Sequence, residues 1–120
     1  MIEVPVSVGE VLDKISILEI KSERITDATK RANVLRELDH LTLAAQDYRA
    51  PELEVELKHI NQRLWDVEDE LRLMEKRQDF GPEFVKLARS VYVLNDQRAA
   101  VKKQINLEVG SELIEEKSYA

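Results

Sequence analysis

The 120-residue chain reads as all-α, an antiparallel bundle of about four helices with a long C-terminal helical hairpin and a short extended N-terminal arm. Two observations predict this. Leu53, Leu57, Ile60, Leu64, Val67, Leu71 and Met74 recur in alternating steps of four and three, the coiled-coil rhythm by which one helix buries a narrow stripe against another. Composition agrees, because three Gly, three Pro, 5% aromatic and 35% charged residues leave long stretches of good helix formers with few interruptions.

The elements follow from the breakers. Ile2, Val4 and Val6 alternate with Glu3, Pro5 and Ser7, so residues 1–6 are expected as an extended arm suited to pairing with its copy. Ser7-Val8-Gly9-Glu10 is a capping-box pattern, in which hydroxyl and carboxylate each satisfy a free N–H at a helix start. A first helix is expected from about Val8 to Ile25 with Val8, Val11, Leu12, Ile15, Leu18 and Ile25 inward. Ile17 and Ile20 widen that stripe, which predicts cover on two sides. After Thr26-Asp27, a second helix is expected from about Ala28 to Tyr48 on Val34, Leu35, Leu38, Leu41, Ala45 and Tyr48.

Pro51 suits the first turn of a third helix, and Gly81-Pro82 opens a fourth that ends near Val109 at Gly110. These two helices each approach 28 residues, or roughly 40 Å. The short connector Asp79-Phe80-Gly81 makes them an antiparallel hairpin. Residues 111–120 form a tail with too few apolar residues to fold alone, although Leu113, Ile114 and Tyr119 are available to dock. With no repeat or low-complexity linker, residues 1–120 are expected to be one domain.

Charge and motifs narrow the function. Lys and Arg number 18 against 24 Asp and Glu, a net charge of −6, which disfavours nucleic acid and anionic membranes as partners. There is no cysteine, no signal-peptide pattern at Met1-Ile2-Glu3-Val4 and no apolar run near the roughly 20 residues of a membrane span, so a cytoplasmic protein is expected. A phosphate loop, His-Glu-x-x-His and a nucleophile elbow are absent, so no enzyme class and no cofactor is indicated.

Two polar constellations remain. Glu37 with His40, and Glu56 with His59, repeat the Glu-x-x-His spacing of carboxylate-bridged metal bundles, with the turn near Arg49-Ala50 bringing the two His to similar height. Both pairs flank the apolar seam rather than joining it, so they are read as solvated surface and no metal is expected.

The second lies on the fourth helix, where Arg98 takes a seam position between Leu94 and Val101, beside Tyr92, Asn95, Lys102 and Asn106. The third helix offers Trp65 with Asp66, Glu68, Asp69 and Glu70. One reading pairs Arg98 with Asp66 and Asp69 as a charge network that fixes helix register. The other makes Trp65, Asp69, Tyr92, Asn95, Arg98 and Lys102 a pocket for an anionic metabolite, since cations, amides and an aromatic wall suit carboxylate or phosphate. Lys14 and Lys21 are further candidates, although pairing of Glu10 with Lys14 explains the first of them.

The opening block from Ile2 to Lys21 resembles the start of a family of short bacterial proteins classed as a domain of unknown function. Leu64-Trp65-Asp66-Val67-Glu68-Asp69, Asn95-Asp96-Gln97-Arg98-Ala99 and Glu115-Glu116-Lys117-Ser118-Tyr119 are similar to its other blocks. The resemblance carries no assigned activity; it implies an accessory role near surface-polysaccharide and glycosyl-transfer pathways. The expected function is therefore a non-enzymatic binding or scaffolding module that forms a homodimer, with a small enzyme or sensor of an anionic metabolite beside Arg98 as the alternative.

Overall fold

The computed structural model describes residues 1–119, so the last residue of the expected tail and domain, Ala120, lies outside the described residues. Four helices make up the fold: α1 (Val8–Arg24), α2 (Ala28–Ala44), α3 (Pro51–Arg77) and α4 (Pro82–Val109). Among the described residues there is no strand, and no helix is long and apolar enough to cross a membrane.

Their ends follow local chemistry. Ser7 caps α1 by accepting from Glu10 N at 3.1 Å, and Asp27 caps α2 by accepting from Lys30 N at 2.8 Å. Only half of the expected capping box forms, because the Glu10 carboxylate turns away to α4. Ala50 has no side chain to cap α3; the Glu54 carboxylate instead reaches back to Ala50 N at 2.9 Å. Gln78 and Gly110 end α3 and α4 in the left-handed conformation, at φ 56° and 69°.

The centre of the molecule is α1, which packs against α2, α3 and α4. Three neighbours, rather than the expected two covered sides, explain its burial of Leu12, Ile15, Leu18 and Ile20. Leu12 and Ile15 meet Leu53, Leu57 and Ile60 of α3 and Leu94, Val101 and Ile105 of α4 in one core. All seven residues of the α3 seam are buried or half-buried, so its heptad stripe does face inward.

The second helix departs from expectation. It stops at Ala44, Tyr48 is exposed, and no residue within it is buried. Val34, Leu35, Leu38 and Leu41 are half-buried and Leu43 is exposed, because α2 packs on α1 alone; Leu38 and Leu41 touch the core from outside. Since α2 does not pack on α3, the expected approach of His40 to His59 does not occur. Both are exposed, and the described residues hold no cluster of three metal-ligating side chains.

After Gly110 the tail turns back along α4. Lys103 bonds Glu116 at 2.8 Å and Lys117 bonds Asp96 at 2.7 Å. Leu113 and Ile114 are only partly covered and Tyr119 is 86% exposed, so polar pairs rather than apolar docking hold this segment.

Candidate functional site

The site is built where α1 crosses α4. Gly9 makes the crossing possible, since a Cβ there would lie 2.4 Å from the Lys102 carbonyl oxygen. Its N–H donates to Asn106 Oδ1 at 2.6 Å, and the neighbouring Val8 N–H donates to Ser111 Oγ at 3.1 Å. With Glu10 N held by Ser7 Oγ and Val11 N by the Ser7 carbonyl, every N–H of the first turn of α1 has a partner within the chain. The Ser7 hydroxyl in turn donates to Glu115, which ties the tail to the same end.

One turn along α1, Asp13 is 1% exposed and Arg98 grips it from α4. Arg98 Nε lies 3.0 and 3.1 Å from the two carboxylate oxygens and Nη2 lies 2.5 Å from Oδ2. Asn61 of α3 donates from Nδ2 to Asp13 Oδ1 at 2.9 Å and to Ser16 Oγ at 2.7 Å. Lys102 stands 3.8 Å from Asp13 and 2.5 Å from Glu10. A bidentate guanidinium and a buried amide supply the hydrogen bonds that a carboxylate withdrawn from water requires.

Titration follows these partners. The hydrogen bond from Lys102 lowers the Glu10 carboxyl below its ordinary value of 4.5, against the opposing effect of burial. The hydrogen bond to Asp13 makes Arg98 hold its proton even more firmly than usual.

The expected partners of Arg98 need correction. Asp66 pairs with Arg24 at 2.5 Å, and Asp69 is exposed, so the acidic cluster of α3 does not neutralise Arg98; Asp13 does. The Glu10–Lys14 pair is likewise replaced, by Glu10–Lys102 across helices and by Lys14–Glu37 at 3.2 Å, which links α1 to α2. In both cases the packing of α1 against its neighbours supplies a different counter-ion from the expected one.

Two hollows meet at this network. A groove of about 670 Å³ runs between α4 and the tail and includes Tyr92, Asn95, Arg98 and Lys102 in its lining. A smaller pocket of about 380 Å³ lies among α1, α3 and α4 and is lined in part by Trp65 and Asp69. Asn95 and Arg98 line both. Lys14 and Lys21 line neither hollow; Lys14 is exposed and Lys21 is half-buried.

Sequence reasoning missed Asp13, Ser16 and Asn61. A signal was present, because Asp13 lies four and seven residues before Ile17 and Ile20 and so belongs to the second stripe of α1. Asn61 similarly precedes Leu64 and Trp65 by three and four.

Fold and site together define an all-helical domain organised round a buried, fully partnered aspartate. The chain belongs to a family of unknown function (DUF6165), whose model matches residues 2–120. No curated protein and no solved structure matches it.

Proposed function

We propose that this protein is a non-enzymatic binding or scaffolding module. What carries the reading is that the cations beside the large groove are already answered from within the chain. Arg98 is held by Asp13, Lys102 by Glu10, Lys103 by Glu116 and Lys117 by Asp96. The first-turn N–H groups of α1 are likewise taken. An anionic metabolite would have to displace these partners, at a desolvation and pairing cost, before gaining its own contacts.

The surface that remains open is apolar in places. Ile2, Val4 and Val6 of the arm are exposed, and the arm joins Ser7, whose hydroxyl bonds the tail one residue beyond the partly exposed Ile114. This supports a homodimer formed through arm and tail. The four-residue link and the inward seams of α3 and α4 support an antiparallel, coiled-coil-like pairing of those helices. A place beside glycosyl-transfer enzymes of a bacterial cytoplasm rests on the family resemblance.

A thermal-shift screen with nucleotides, sugar nucleotides and carboxylates tests the reading: none should raise the midpoint, and sedimentation at micromolar concentration should show a dimer. The second reading, an enzyme or sensor for an anionic metabolite, is favoured by one observation. Tyr92, Asn95, Arg98 and Lys102 do share one groove. Stabilisation by such an anion, lost in Tyr92→Ala, would establish that alternative.

A further inference from the structure

The Trp65 pocket differs from the large groove in what its polar groups lack. Ile17, Ile20, Leu64 and Trp65 give it apolar walls, and Asn61, Asn95 and Arg98 are its interior polar groups. Asn61 is 5% exposed, and both of its amide hydrogens are committed, to Asp13 Oδ1 and Ser16 Oγ. Because a carboxylate only accepts, the bond to Asp13 fixes which end of the Asn61 amide is nitrogen. Asn61 Oδ1 thus has no partner among the described residues, and since no side-chain nitrogen or oxygen sealed from solvent lacks one, this oxygen is an acceptor open to water in a residue that lines the pocket.

The charge of the pocket is negative. Glu68 and Asp69 line it; Glu68 has only an exposed contact to Arg72 at 3.7 Å, and Asp69 has no ion pair among the described residues. Arg98 adds no free positive charge, because Nε and Nη2 are bonded to the Asp13 carboxylate. Two carboxylates, an unpartnered amide oxygen and an indole face call for a planar cation that donates hydrogen bonds. The same indole already receives one such group from this chain, Arg24, whose guanidinium carbon lies 5.7 Å from the ring centroid; Arg24 does not line the pocket. A volume of about 380 Å³ is near the lower end of ligand cavities, which run roughly 300–1,000 Å³, and suits one side chain better than a nucleotide.

We propose that the pocket beside Trp65 receives an arginine side chain of a protein partner, its guanidinium held by Asn61 Oδ1 and the Glu68 and Asp69 carboxylates against the indole. This rests on the binding-module reading and names the chemistry of the partner's contact. Trp65 is the one tryptophan of the chain, so its fluorescence reports the site directly.

Titration with N-acetyl-arginine amide should give a saturable change, weakened by 0.5 M salt and about tenfold weaker in Glu68→Gln/Asp69→Asn, a pair of exposed substitutions outside the core. N-acetyl-norleucine amide and N-acetyl-glutamate amide should give none. Absence of saturation with the arginine probe, equal binding of either other probe, or an unchanged affinity in the double variant whose circular dichroism is native would overturn the proposal. The wider reading fails separately: it falls if an anion from the thermal-shift screen stabilises the protein, and it stands if only the arginine titration fails.

Discussion

Replacing Arg98 with methionine removes three guanidinium contacts from a carboxylate that is 1% exposed, and leaves Asp13 with Asn61 at 2.9 Å and Lys102 at 3.8 Å. Breaking a buried ion pair by deleting one partner costs about 3–5 kcal/mol, because the surviving charge stays desolvated. The remaining amide and lysine put this case at the lower end, at about 3 kcal/mol. The reverse change is milder. In Asp13→Asn the shape is kept and the stranded guanidinium, whose side chain is 28% exposed and faces the groove, can be hydrated, for a cost of about 1–2 kcal/mol. Removing both charges in Asp13→Leu/Arg98→Met should return stability to within about 1 kcal/mol of the parent, since apolar replacements of buried pairs are often neutral. Urea unfolding followed by circular dichroism at pH 7 measures all three, and in a domain of this size Arg98→Met should lower the thermal midpoint by about 12 °C. A larger loss in Asp13→Asn than in Arg98→Met would refute the assignment of Asp13 as the dependent charge. So would a double variant as unstable as Arg98→Met alone.

Gly9→Ala should cost about 3 kcal/mol by urea unfolding, because the new methyl meets the Lys102 backbone carbonyl and forces α1 off α4. Gly81→Ala, whose Cβ meets only Asp79 Oδ1 at 3.4 Å, should be nearly neutral in the same assay. Asn106→Ala should cost about 1–3 kcal/mol by leaving the buried Gly9 N–H without an acceptor, and amide exchange at Gly9 should accelerate. Since Lys102 depresses the folded-state Glu10 carboxyl below 4.5, its contribution is present above pH 4.5 and is lost as pH falls through that lower value. Glu10→Gln should therefore flatten the acid side of a plot of unfolding free energy against pH, and an unchanged slope would remove Glu10 from the linkage.

The elements most legible in the sequence were those marked by local chemistry. Pro51 and Pro82 open α3 and α4, Gly110 closes α4, and the stripe from Leu53 to Met74 gives the buried face of α3. Each signal acts within a turn or two of helix, through a missing N–H, a left-handed residue or a repeat of 3.5. The end of α2 was misread because Ala45 and Tyr48 continue the apolar spacing, while the chain leaves the helix at Ala44 and Tyr48 stays exposed. Spacing marks which face is apolar and says nothing of how many neighbours will cover it.

The polar site shows the same division. Tyr92, Asn95, Arg98 and Lys102 were legible as one line on α4, because steps of three and four place them on one side of a helix, and they do share a groove. That Arg98 answers Asp13 and not Asp66 depended on how α1 crosses α4, and the crossing in turn depends on the close approach at Gly9. Buried Asp13 and Asn61 carry the same letters as solvated ones; only packing withdraws water from them and gives them partners 48 and 85 residues away in sequence. The sequence by itself determined the helices and their apolar faces, since those follow from interactions between near neighbours. Tertiary structure alone decided which polar groups are answered, as Asp13 is by Arg98 and Glu10 by Lys102, and which are not, as at Asp69, because desolvation and pairing are set by what the other helices bring alongside.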